Sequence, residues 1–258
     1  MDNVKEEVNH TLESYYEKFA AKQDEDIIAV ALYGSQNYNL DLPSSDVDAY
    51  MITNINFRDF TFSPRKSKGQ SFKQDKGIIT KKPVNKYINL LVKHSPNALE
   101  GLFTPYIIVN PDYEKQWKEL ISLRDEIAEC NKYSLAGVYL GMAYSRLTKI
   151  QNIGFTDKTA KELVMAAFSG EVACRLLNDV SFPEAINAST MRHYGELMDL
   201  KINDIPDSSL IQIIKKTEKR LDEVSQMRLH IRNNDFISDS LSDKLISIVL
   251  SFLRKQLI

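Results

Sequence analysis

Residues Leu32 to Met51 read LYGSQNYNLDLPSSDVDAYM, and the reading of the fold turns on them. The stretch opens on the end of a short apolar run, Asp26–Tyr33 (DIIAVALY), whose length and β-branched content point to a buried central strand. Gly34-Ser35 breaks that run. Ten residues later Asp46-Val47-Asp48 leads into a second run, Val47–Thr53, in which Val47, Ala49 and Met51 alternate onto one face. Residues two apart on a strand share a face, so Asp46 and Asp48 project their carboxylates together. Two carboxylates so placed repel each other unless a cation joins them, and oxygen donors of this kind suit a hard divalent ion. A glycine at a strand end lets backbone approach a phosphate closely, and a serine opening a helix adds a hydroxyl and an amide to an anion site.

Outward from this stretch, the periodicity continues to assign elements. Val4, Val8, Leu12, Tyr15, Tyr16 and Phe19 recur at helical spacing before the first strand. After the second strand, Ser63–Lys76 is polar, holds Pro64 and Gly69, and reads as a mobile loop. Ile78-Ile79-Thr80 comes next as a short strand. Pro83 then opens a helix with the stripe Val84, Tyr87, Ile88, Leu91 and Val92, and Ser95 or Asn97 caps a shorter one. Tyr106–Val109 is the last strand candidate. Beyond Pro111 strand signals vanish, and helical patterns run near 112–128, 132–151, 157–179, 190–200, 207–232 and 239–257. The expectation is an α+β protein with a small mixed sheet: a core over residues 1–111, then an all-helical domain over 112–258.

The chain has 258 residues and a formal charge of −2, which taken alone argues against a dedicated nucleic-acid coat protein. The charge is uneven. Arg58–His94 holds ten Lys or Arg and two Asp, a net +8, leaving −10 on the remainder. No apolar run is long enough to cross a membrane, and the polar, acidic start MDNVKEEVNH is unlike a signal peptide. Cys130 and Cys174 sit in helical patterns and read as buried free thiols of a cytoplasmic protein. The four histidines are scattered and form no metal-ligand spacing with the cysteines.

With these residues in hand, GSQNYNLDLPSSDVDAYMI resembles the signature of the polymerase-β-type nucleotidyltransferase superfamily. More narrowly, it is similar to the predicted nucleotidyltransferases associated with RNA repair, as are KYINLLVKHSPNALEGLF (86–103) and MRHYGELMDLK (191–201). The resemblance implies a nucleotidyltransferase core followed by a helical domain. It implies Mg²⁺- or Mn²⁺-dependent transfer of a nucleoside monophosphate from an NTP to an acceptor hydroxyl, with pyrophosphate released. Gly34 and Ser35 match the family's phosphate-contacting pair, and Asp46 and Asp48 match its paired metal ligands. Ser45 belongs to the same Ser-Asp-x-Asp element and is counted with the nucleotide-binding residues. The superfamily's third carboxylate has no direct match: the corresponding place falls near Ile78, and Asp75, three residues upstream, is the candidate substitute.

The acceptor implied is an RNA 3′ end, met through phosphate contacts along the basic segment 58–94 and stacking on Phe57, Phe60, Phe62 and Phe72. Arg146, Lys149 and Lys161 are the helical-half cations that would reach the triphosphate, and Tyr38 is a candidate to stack on base or sugar. Two alternatives stand beside this reading: transfer to a protein or small molecule, and a degenerate nucleotide-binding protein without catalysis.

Overall fold

The first strand, β1 (Ile27–Tyr33), is buried along its length except for half-buried Tyr33, which is why its sequence is apolar without alternation. The structure is a computed structural model that describes residues 2–21, 26–42, 45–55, 69–156, 158–203, 206–230 and 238–254. Strand β2 (Asp48–Thr53) pairs antiparallel with β1, Asp48 lying opposite Tyr33. Strands β3 (Gln70–Gln74) and β4 (Gly77–Pro83) form a hairpin, and β4 runs parallel to β2. β5 (Ile107–Val109) pairs antiparallel with the other side of β1. The mixed five-stranded order is β3-β4-β2-β1-β5.

Helix α1 (Asp2–Ala20) covers one face of this sheet: its Val8, Leu12 and Tyr15 join Val30, Leu32, Ala49, Met51 and Ile79 in one buried cluster. Each aliphatic side chain so buried stabilises by roughly 1.5–3 kcal/mol relative to exposure. The opposite face receives α2 (Val84–Val92) and α3 (Pro96–Phe103). There, the position of a Cβ on Gly101 would lie 3.6 Å from Ala31 Cβ and 3.7 Å from the Tyr50 ring, so α3 sits close on β1 and β2.

The polar stretch expected to be a loop up to Lys76 is, over its last part, the strand β3. Its residues are mostly exposed and Phe72 is half-buried. An edge strand needs no apolar face, so its sequence does not announce it. The Phe72 ring packs edge-on against Phe19 of α1, centroids 5.3 Å apart, so it is a packing residue. Residues 58–68, with Phe60 and Phe62, and also Phe57, lie outside the described residues.

After β5 come α4 (Glu114–Ser122), α5 (Arg124–Glu129), α6 (Lys132–Ile153), α7 (Thr159–Leu177), α8 (Phe182–Ala185), α9 (Tyr194–Ile202), α10 (Asp207–His230) and α11 (Asp239–Arg254). The chain falls into two compact units: Met1–Asn37 with Asp41–Ala128 and Ile237–Ile258, and Tyr38–Leu40 with Glu129–Phe236. This division differs from the one expected at residue 111. Residues 112–128 and the last helix group with the sheet because their apolar stripes are buried there. Trp117 of α4 stacks near Tyr87 of α2, centroids 6.4 Å apart. Asn54, just past β2, donates to Tyr113 Oη and to the Phe252 carbonyl of α11, each at 3.0 Å.

In the second unit α6, α7 and α10 bury Tyr139, Leu147, Leu163, Phe168, Leu221 and Val224. Cys174 is buried and Cys130 is half-buried, and both are free thiols. Among the described residues no helix is long and apolar enough to cross a membrane.

Candidate functional site

Gly34 ends β1 with φ +98°, in the left-handed region that glycine enters without steric cost. Its carbonyl accepts the Asn37 N–H at 2.9 Å, and its own N–H donates to Glu100 Oε2 of α3 at 3.1 Å. The Asn37 side chain donates to the Leu32 carbonyl at 3.1 Å and accepts from Thr104 Oγ1 at 2.7 Å, which holds the turn against the sheet. The helix expected to begin at Ser35 is a single 3-10 turn, Ser35–Tyr38. It is too short to carry a useful macrodipole, so any anion affinity here rests on individual donors.

Asp46 and Asp48 approach from the neighbouring strand. Asp48 is the first residue of β2, half-buried, and its Oδ1 accepts the Ile78 N–H of β4 at 2.9 Å. Asp46 precedes the strand and is exposed. Gln36 Nε2 donates to its backbone carbonyl at 3.5 Å, linking the residues after Gly34 to those before β2. The Val47 N–H donates to the Lys76 carbonyl at 2.6 Å, so the Asp75-Lys76 turn of the β3–β4 hairpin lies against this segment. Asp75 is thereby carried to the same end of the sheet as Asp46 and Asp48.

Tyr15 of α1 registers that clustering. Its hydroxyl donates to the Val47 carbonyl at 3.4 Å. Burial pushes its phenol up to about 12, and the charges of Asp48, Asp75 and Asp46 add to the rise. Tyr33, opposite Asp48, shares a hydrogen bond with Thr80 Oγ1 at 3.3 Å. Burial raises its phenol too, and Asp48 and Glu100 contribute. Periodicity marks Tyr15 as core and does not disclose the acids beside it. Glu100 was not singled out from the sequence; the signal that could have found it is an acid inside the apolar helix PNALEGLF, and nothing local could have shown its bond to Gly34.

The remaining candidates are engaged by other groups of the chain or belong to the second unit. Ser45 Oγ accepts the Leu42 N–H at 2.8 Å and so closes a local turn. Tyr38 is only 4% exposed, and its ring lies 4.6 Å from that of Phe168, which leaves it no free face for a base or sugar. Arg146 and Lys149 of α6, in the second unit, both bond Glu162 of α7, the arginine at 2.6 Å. Burial opposes the Glu162 charge, but hydrogen bonds from Lys149 and Arg146 outweigh it and hold the carboxyl below its ordinary range. Lys161 is exposed on α7. In the described part of the basic segment, Lys76 pairs with Glu7 at 2.6 Å, while Lys73 and Lys93 are exposed.

Among the described residues no group of three or more His, Cys, Asp or Glu is disposed to hold a metal ion. The ligands expected from the sequence are a pair, Asp46 and Asp48, and Mg²⁺ is commonly held by one or two carboxylates together with substrate phosphates. A cavity of about 330 Å³ lies within the second unit against Gly170, Met191, Leu197, Leu200 and Ile213. Its lining includes none of Gly34, Ser35, Asp46, Asp48 or Asp75.

No protein-family model matches the chain, and no curated protein matches it. Among solved structures it is similar to a nucleotidyltransferase-like protein from Exiguobacterium sibiricum 255-15, with 14% identity over 96% of this chain and 91% of that one, at a TM-score of 0.35.

Proposed function

We propose that this protein is a polymerase-β-type nucleotidyltransferase of the RNA-repair-associated kind, moving a nucleoside monophosphate from an NTP to an RNA 3′ hydroxyl. The observation that carries the reading is the register of β1 and β2, in which Tyr33 lies opposite Asp48. Gly34-Ser35 and Asp46-Val47-Asp48 then share one end of the sheet, with Asp75 in the adjoining turn.

In this reading Ser35 binds the triphosphate, and Asp46 and Asp48 hold Mg²⁺ or Mn²⁺. The donor set suits such an ion: two carboxylates from one strand entry, with a third acid near enough to raise the Tyr15 phenol. When bound, the ion neutralises triphosphate charge and favours the ionised acceptor hydroxyl. The acceptor oxygen forms a bond to the α-phosphorus while the bond between the α-phosphorus and its bridging oxygen breaks. The hydroxyl proton passes to a carboxylate, for which Asp75 is our assignment. Pyrophosphate leaves. The +8 charge of Arg58–His94 supports a polyanionic acceptor.

The test is incubation with each α-labelled NTP, Mg²⁺ or Mn²⁺, and total RNA. Labelled RNA that disappears in the double variant Asp46→Ala, Asp48→Ala supports the reading, and transfer that survives the double variant overturns the site. Label on protein or on a small molecule transfers the assignment to that acceptor class. Nucleotide binding with no transfer to any acceptor leaves a non-catalytic nucleotide-binding protein.

A further inference from the structure

Glu100 is 1% exposed, in a helix whose Ala98, Leu99, Gly101 and Leu102 are buried against the sheet. A carboxyl in such surroundings is costly unless strong hydrogen bonds satisfy it. Its Oε2 reaches across the fold to the Gly34 N–H at 3.1 Å, joining positions 66 residues apart in sequence. Gly34 at φ +98° is the pivot of the turn. Its carbonyl is held by Asn37, so both backbone polar groups of this residue are engaged from within the protein.

We propose that Glu100 is the positioning residue of the Gly34–Ser35 turn, holding the Gly34 N–H so that Ser35, and not the glycine amide, meets the nucleotide phosphates. This rests on the nucleotide-binding reading above and sharpens it. The sequence pairs Gly34 and Ser35 as joint phosphate contacts, whereas the bond to Glu100 leaves Gly34 a conformational role. The packing of α3 on the sheet is then coupled to the aim of Ser35. Burial raises the phenols of Tyr33 and Tyr50, and the Glu100 charge adds to both.

Two variants separate the bond from the charge. Glu100→Gln keeps an acceptor for Gly34, and Glu100→Ala removes it. Amide hydrogen exchange at Gly34 reads the bond without any activity: it stays slow in the wild type and in Glu100→Gln and becomes fast in Glu100→Ala. In nucleotide transfer, Glu100→Ala loses about 100-fold in kcat/KM with a raised KM for NTP, as expected for a misplaced contact. Glu100→Gln stays within about tenfold of the wild type, the difference between a charged and a neutral acceptor. Ser35→Ala raises the KM for NTP in an otherwise native background. Equal losses in both Glu100 variants, or unchanged kinetics in Glu100→Ala with only a lowered Tm, overturn the proposal. If the wild type binds no nucleotide, the functional reading fails and the positioning role with it, and slow exchange at Gly34 would then show the bond to be purely structural.

Discussion

Asp48 Oδ1 accepts the Ile78 amide at 2.9 Å, so the first residue of β2 is fastened to β4 through its side chain as well as through the sheet. The same carboxylate therefore serves the architecture and, in the proposed reaction, the metal. Asp48→Asn retains an acceptor for Ile78 and removes the charge. We expect transfer to fall by at least about 100-fold, while the thermal midpoint and far-UV spectrum stay close to those of the wild type. Full activity in this variant would remove Asp48 from the mechanism.

Gly77 opens β4 directly against the acid-bearing segment. A Cβ there would lie 2.3 Å from the Val47 carbonyl oxygen, a backbone atom that cannot swing away. Gly77→Ala is therefore expected to destabilise the protein by about 1–3 kcal/mol, measured by urea unfolding. It should also lower transfer, because the displaced segment carries Asp46 and Asp48.

Stability should fall as the solution becomes strongly alkaline. Burial pushes the Tyr15 and Tyr50 phenols up to about 12 from an ordinary 10.0. A group with a raised folded-state pKa contributes stability that is whole below the unfolded value and is lost as pH rises through the folded one. The window is thus from about pH 10 to about pH 12. Melting curves across that range should fall steeply in the wild type and less steeply in Tyr15→Phe and Tyr50→Phe. A wild-type melting temperature that stays flat over the window would contradict the burial of these phenols.

The last helix belongs with the sheet unit through Phe252, which is fully buried, packs its ring 5.9 Å from that of Tyr113 and accepts Asn54 through its carbonyl. Phe252→Ala should cost about 3–5 kcal/mol. Hydrogen exchange should quicken in β1 and β2 more than in α6 and α7. The reverse order would place α11 with the helical unit.

Much of the local frame of the candidate site was legible because its signals are local. Asp26–Tyr33 reads as a buried strand since an apolar run with β-branching has few other uses, and the Asp-x-Asp spacing marks the entry to β2. The strand β3 was not legible, because an exposed edge strand carries no apolar pattern. Ser45 and Tyr38 fit the motif by position, yet one closes a turn with Leu42 and the other packs on Phe168. Nothing in the sequence distinguishes a serine or tyrosine that contacts a ligand from one that contacts its own chain.

By itself, the sequence determined most of the element types, though not β3, together with the mixed α+β character and the coincidence of a glycine-serine turn with two acids two residues apart. These depend on periodicity and local backbone preference, which act over a few residues. Only the tertiary structure decided that residues 112–128 and the last helix return to the sheet, that Asp75 is carried to Val47 by a hairpin turn, and that Glu100 holds Gly34. An amphipathic stripe states that a helix must be covered without naming what covers it, and a hydrogen bond across 66 residues leaves no trace in either neighbourhood.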